Sequence, residues 1–205
     1  HAHRGTADGR VEGEGLLDAV GAETEAPPRF ATGFPAHFSK KDVAIKFAGA
    51  GGDGAQTAAL LVTHAAIHEG FDATHIPSYG PESRGGTSYA DVRIAEHEVV
   101  SPAAPAPDVL VAFNGPSLAK FGPLVVPGGV VIYDSSVAGE VPPLAEGVRA
   151  LGVPFTEIAS GLGKRVIKNV VALGAMQAAT GLFPEETFLT AIREALTRKS
   201  ALVPL

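Results

Sequence analysis

The stretch DVAIKFAGAGGDGAQTAALLVTHAAIHEG, residues 42–70, decides the fold. Its opening DVAIKFAG reads as a β-strand, and a glycine-rich turn follows. A helix then runs to Gly70. The turn GAGGDG matches G-x-G-x-x-G at Gly49, Gly51 and Gly54, after a strand and at the start of a helix. Glycines in that place let the backbone approach a phosphate, and free N–H groups at the helix start point toward it. The competing reading is tight packing of strand against helix. A dinucleotide site would also want an acidic residue at the end of the second strand, to hold the ribose. That strand ends instead at IPS, and Glu82 lies several residues into the loop beyond it.

Strands and helices continue to alternate outward from this unit. DATHIP (72–77), SYADVRIA (88–95) and PDVLVAFN (107–114) read as strands, with EVVS (98–101) as a small extension. The short helix GPSLAKFG (115–122) is followed by the buried strand GGVVIYDSS (128–136). PPLAEGVRALG (142–152) reads as a helix opened by proline, and VPFTEIA (153–159) as the last strand. KRVIKNVVALGAMQAATG (164–181) and PEETFLTAIREALTRK (184–199) are closing helices. The expected fold class is α/β: a doubly wound, mostly parallel sheet with helices on both faces, a Rossmann-like three-layer sandwich. Ligands gather beyond the carboxyl ends of such strands. The glycine turn, the loop after the second strand, FNGPS and YDSS are therefore expected on one rim. Residues 1–40 lack a sustained period and read as an extension or linker, or as a partner-binding arm carrying Phe30, Phe34 and Phe38. The folded domain is expected over 41–205.

Composition narrows the function classes. A net charge of −6 argues against a nucleic-acid binder, which needs a basic face to replace phosphate counterions. The chain has no cysteine, so it offers no disulfide, thiol nucleophile or cysteine ligand for zinc or an iron–sulfur cluster. Redox chemistry involving this chain has to be carried by a partner. No apolar run has the length of a membrane span and no signal-peptide pattern is seen, so a cytoplasmic protein is expected.

The loop HIPSYGPESRGGTSYADV, residues 75–92, is rich in polar groups. Arg84, flanked by Gly85 and Gly86, suits a phosphate or carboxylate; alternatively it pairs with Glu82 and braces the loop. Ser78, Tyr79 and Thr87 are placed to donate to the same anion or to a neighbouring chain. Asn114 and Ser117 in FNGPS fall on the expected rim, with Ser117 equally suited to cap its helix. Asp134 suits either a ribose or a loop cap. His64 and His68 have metal-ligand spacing, but no carboxylate completes a site, so a solvated or interface face is expected there and no metal. No nucleophile–base pair emerges, and no catalytic residue is assigned.

Together, KFAGAGGDGAQTAA, HIPSYGPESRGGTSYADVRI, SPAAPAPDVLVAFNGPSLAKF, VVPGGVVIYDSS and NVVALGAMQAATG resemble, in order and spacing, the gamma subunit or gamma domain of 2-oxoacid:ferredoxin oxidoreductases. The resemblance covers about residues 42–190. It implies an enzyme that decarboxylates a 2-oxoacid on thiamine diphosphate, passes electrons through iron–sulfur clusters to ferredoxin, and forms an acyl-CoA. Thiamine diphosphate with its Mg and the clusters would lie on partner subunits, alpha and beta, with delta as a further partner. This chain would contribute coenzyme A binding, with Gly51, Gly52, Gly54, Ser78, Arg84, Gly85, Gly86, Thr87 and Asn114 as contacts. The loop SYGPESRGGT looks closer to 2-oxoglutarate-type members than to pyruvate-type ones. Ser83 stands where members often carry a larger residue, and Asp53 where Gln is usual. The rival readings are a nicotinamide-dependent Rossmann oxidoreductase and a purely structural docking subunit.

Overall fold

The computed structural model describes residues 42–78, 87–163 and 167–201. Among these described residues the strands are β1 (Asp42–Ala50), β2 (Asp72–Ser78), β3 (Thr87–Ala95), β4 (Val109–Ala112), β5 (Val130–Asp134) and β6 (Arg149–Val153). The helices are α1 (Ala55–His68), α2 (Gly115–Phe121), α3 (Phe155–Gly161), α4 (Lys168–Thr180) and α5 (Glu185–Ala201). One sheet contains all six strands in the order β2-β3-β1-β4-β5-β6. The pairings β1–β4, β4–β5 and β5–β6 are parallel, as the alternating sequence predicts. Strand β3 runs against both its neighbours, β1 and β2. Only residues 79–86 separate β2 from β3, too few for the dozen-residue crossover that a parallel pair requires.

Three segments depart from the sequence reading. Residues 142–148, expected to be helical, form neither helix nor strand, and the strand follows them at Arg149–Val153. The left-handed Gly147 (φ 72°), in the middle of the expected helix, opposes a helix there. A Cβ at Gly152 would lie 2.8 Å from the Tyr133 hydroxyl, so any larger residue there would require the Tyr133 ring to shift. Residues 155–159, expected as part of the strand 153–159, belong to α3, whose buried Phe155 and Ala159 lie four apart on one helical face. EVVS forms no strand; the Val99 N–H donates to Asp72 Oδ2 at 2.8 Å instead.

Strand alternation divides the core between two faces. Val43, Ile45 and Phe47 of β1 pack with α1, α3, α4 and α5. Helix α1 meets the sheet through Ala55, Ala58, Ala59, Ala65 and Ala66, whose small side chains allow close approach. At the far end Phe183, in the left-handed region at φ 62°, packs between Phe71 and Phe188 at centroid distances of 5.3 and 6.3 Å. The opposite face is thinner, covered by α2 and by side chains of residues 138–148. There Lys46 is buried in an ion pair with Asp91 of β3, beneath the Tyr89 and Phe121 rings. Asp91 also accepts the Ala104 N–H. No helix among the described residues is long and apolar enough to cross a membrane.

His75 on β2 has its pKa lowered, first by burial and then by the nearby His64. The folded chain thus holds this proton less tightly than the unfolded chain, which binds more protons below the ordinary histidine pKa. The resulting stability is full above about pH 6.5 and is lost as pH falls from there toward the lowered folded value. Melting temperature should therefore climb between about pH 5 and 7, and His75→Gln should flatten that climb.

Candidate functional site

The carboxyl ends of β1, β4 and β5 carry one cluster of polar side chains. Beyond β1 the chain turns through Gly52 and Gly54, both left-handed at φ 93° and 91°, before entering α1. At Gly54 a Cβ would also lie 2.9 Å from Asn169 Cβ, so the turn packs directly on the start of α4. Gly54 is the N-cap of α1, and among the described residues no side chain caps that helix start. Gly51 and Gly52 are exposed, with open space where a Cβ would stand.

Within this turn Asp53 is fully engaged. Its Oδ2 accepts the Ala50 N–H at 2.7 Å and the Asn114 amide at 3.1 Å. Its Oδ1 accepts from Lys168 Nζ at 2.9 Å. The same ammonium lies 3.4 Å from the Phe113 carbonyl and 3.7 Å from Asp134 Oδ2. Asp134, with a side chain 0% exposed, accepts from Ser136 N at 3.1 Å, Thr156 N at 3.3 Å and the Thr156 hydroxyl at 2.5 Å. One lysine thus joins the strand ends of β1, β4 and β5 to the first residue of α4.

The second part of the rim is held by Gln56. Its amide donates to the Tyr89 carbonyl at 2.8 Å, Ser88 Oγ at 3.0 Å and the Ser78 carbonyl at 3.4 Å. Ser78 and Thr87 end β2 and begin β3, and Thr87 lies opposite Ala50 of β1. The residues flanking the 79–86 loop therefore stand beside the glycine turn, as expected. Tyr79, Glu82, Arg84, Gly85 and Gly86 lie outside the described residues.

Gly51, Gly52, Gly54, Ser78, Thr87 and Asn114 gather at this rim. The cap of α2 is Asn114 rather than Ser117: its Oδ1 accepts the Ser117 N–H at 2.9 Å. Both ends of the Asn114 side chain thus serve the protein itself. Asp134 caps the 134–136 loop, the second of its two expected roles. His68 bonds Glu194 of α5 at 3.0 Å, and no group of three potential metal ligands occurs among the described residues. Lys168 lies outside every quoted motif, and Gln56, though inside KFAGAGGDGAQTAA, was assigned no role. The one sequence signal for Lys168 was an unexplained acid in a glycine turn, which calls for a cation from elsewhere in the chain.

Asp134→Asn replaces an acceptor with a donor against Lys168 and Thr156. Denaturant unfolding should register a loss of about 1–3 kcal/mol, the usual range for an unmatched buried polar group.

A match to the pyruvate ferredoxin/flavodoxin oxidoreductase family covers residues 44–205. The ketoisovalerate oxidoreductase subunit VorA of Methanothermobacter marburgensis is 43% identical over 80% of this chain. That match takes in 34% of the relative, so the chain spans about a third of the relative's length. The gamma subunit of a keto/oxoacid ferredoxin oxidoreductase from Geobacter sulfurreducens superposes with a TM-score of 0.64 at 30% identity, over 79% of this chain and 87% of that one. The 2-oxoglutarate:ferredoxin oxidoreductase of Magnetococcus marinus, solved with 2-oxoglutarate, coenzyme A and succinyl-CoA, gives 0.71 at 26% identity, over 78% of this chain and 28% of that one. A family match of this extent, on a sheet shared with a solved gamma subunit, establishes that the chain belongs to the pyruvate ferredoxin/flavodoxin oxidoreductase family.

Proposed function

We propose that this chain is the gamma-type unit of a 2-oxoacid:ferredoxin oxidoreductase and supplies the coenzyme A side of its site. The enzyme would convert a 2-oxoacid and coenzyme A to acyl-CoA and CO2 while reducing ferredoxin. The observation that carries the reading is the family match across 44–205, combined with a glycine turn that meets Ser78 and Thr87 at one rim. Coenzyme A bears phosphates, which suit the exposed Gly51 and Gly52 at the start of α1 and the guanidinium of Arg84. Gly54, Gly85, Gly86, Ser78 and Thr87 complete the proposed contacts together with Asn114, whose side chain also holds Asp53 and the start of α2. A chain without cysteine leaves the clusters to alpha, beta or delta partners, and thiamine diphosphate with its Mg is assigned to them as well.

For the substrate, the loop SYGPESRGGT favours 2-oxoglutarate. The 43% identity to a ketoisovalerate oxidoreductase subunit supports a branched 2-oxoacid as the second reading. Relative kcat/KM of the assembled enzyme for 2-oxoglutarate and 3-methyl-2-oxobutanoate decides between them.

The isolated chain should reduce no ferredoxin, and turnover by it alone would defeat the proposal. In the assembled enzyme Arg84→Ala should raise the KM for coenzyme A about tenfold, the equivalent of one charge-assisted hydrogen bond, and leave the KM for the 2-oxoacid nearly unchanged. An unmoved coenzyme A KM would remove Arg84 from the site. Tight NADH binding would instead favour a nicotinamide enzyme. Equal coenzyme A binding by complexes with and without this chain would leave it a docking role only.

A further inference from the structure

The glycine turn contains its own obstacle to an anion. Asp53 places a carboxylate among the backbone groups that would receive a phosphate, and its side chain is 22% exposed. Asp134 adds a second carboxylate behind it, fully buried. The Lys168 side chain is 12% exposed and lies between the two, 2.9 Å from one and 3.7 Å from the other. Formal charges of −1, −1 and +1 leave the cluster at −1; without the lysine it stands at −2.

We infer that Lys168 is a positioning residue whose charge makes the glycine turn acceptable to an anionic ligand, by offsetting Asp53. It acts through Asp53 rather than on the ligand. The inference rests on the coenzyme A reading, and it assigns that site a requirement for charge balance. Three observations support it. Lys168 reaches back from α4 to a turn 115 residues earlier in the chain. Its contacts join three strand ends at the rim. Asp53 remains hydrogen-bonded to the turn it belongs to, through Ala50 N, so the position of the carboxylate and of the turn are linked.

A simple structural staple and a charge-balancing residue predict different signs. In the assembled enzyme, Lys168→Met should raise the KM for coenzyme A about tenfold, the scale of one carboxylate charge left unbalanced in a partly hydrated site. The 2-oxoacid KM and the cluster absorbance should stay near the parent values. Asp53→Asn should leave the coenzyme A KM at or below the parent value, because its amide oxygen still accepts from Ala50 while the carboxylate charge is gone. The double variant Asp53→Asn/Lys168→Met should recover most of the loss, and the gap between Lys168→Met and parent should shrink in about 0.5 M salt.

The inference is overturned if the double variant is as impaired as Lys168→Met, or if Asp53→Asn raises the coenzyme A KM. If Lys168→Met does not assemble, Asp53→Asn alone carries the sign. Failure of the coenzyme A reading looks different: the coenzyme A KM would then ignore all these variants and Arg84→Ala as well. If the charge-balance inference alone fails, Arg84→Ala remains effective.

Discussion

A carboxylate removed from water at the end of a buried strand needs a donor for each of its lone pairs, and Asp134 sets the terms for half of the fold. Ser136 and Thr156 answer it from the backbone, Thr156 again through its hydroxyl, and Lys168 approaches its remaining side. Thr156 belongs to α3 and Lys168 to α4, so both helices are registered against β5 by the same side chain. Phe155 and Leu173 ride on those helices into the core, and Phe155 stacks against Phe113 at the end of β4. The polar requirement of one atom group therefore fixes where apolar side chains land. Lys168 extends that constraint to β1 through Asp53, and hence to the entry of α1.

A second buried ion pair does a different job. Lys46 and Asp91 lie opposite each other in the β1–β3 ladder, on the thin face of the sheet. A slip of one residue would turn Lys46 toward the alanine face of α1, where nothing answers an ammonium. Burying ions in this way adds little net stability over apolar residues of similar volume, whereas leaving one unpaired costs roughly 3–5 kcal/mol. The pair is thus better understood as a penalty against the wrong register. The rim cluster has the same energetic character, but it discriminates among loop positions rather than strand registers.

Much of this was legible in the sequence, for reasons that differ by element. β1, its turn and α1 announce themselves because a strand period, left-handed glycines and an alanine-rich helix agree with one another. β4 and β5 are readable as unbroken apolar runs. The reversed direction of β3 was implicit in the eight residues between it and β2, a connection length that outweighs the α/β alternation. Residues 142–161 were misread because RALGV carries no alternation of its own. Its strand state is set by pairing with β5, which is a tertiary fact. Phe155 and Ala159 have helical spacing, but a seven-residue segment holds too few turns for the period to decide. The site was half legible. Its backbone half, the glycines and strand ends, follows from topology. Its side-chain half depends on Lys168 meeting Asp53 across 115 residues, and local sequence holds no record of such a meeting.

The charge of the rim bears on how a family member of this kind would recognise a ligand. The whole chain is at −6, and the cluster beneath the turn sums to −1, so long-range attraction of an anion is weak. For a phosphate-bearing ligand, selectivity would then have to come from short-range geometry, with backbone N–H groups of the glycine turn meeting its oxygens at fixed positions. Geometry of that kind is useful only if the turn is held still. Gln56 secures it on the side of β2 and β3, gathering Ser78, Ser88 and Tyr89 around one amide. Lys168 secures it on the side of β4 and β5. Gly51 and Gly52 stand exposed between the two clamps, free of side chains and fixed at both flanks. A rigid frame around a bare backbone segment loses little freedom when a ligand arrives, and it rejects one whose oxygens do not match. Two unremarked side chains, rather than the glycines alone, thus determine what the motif can do.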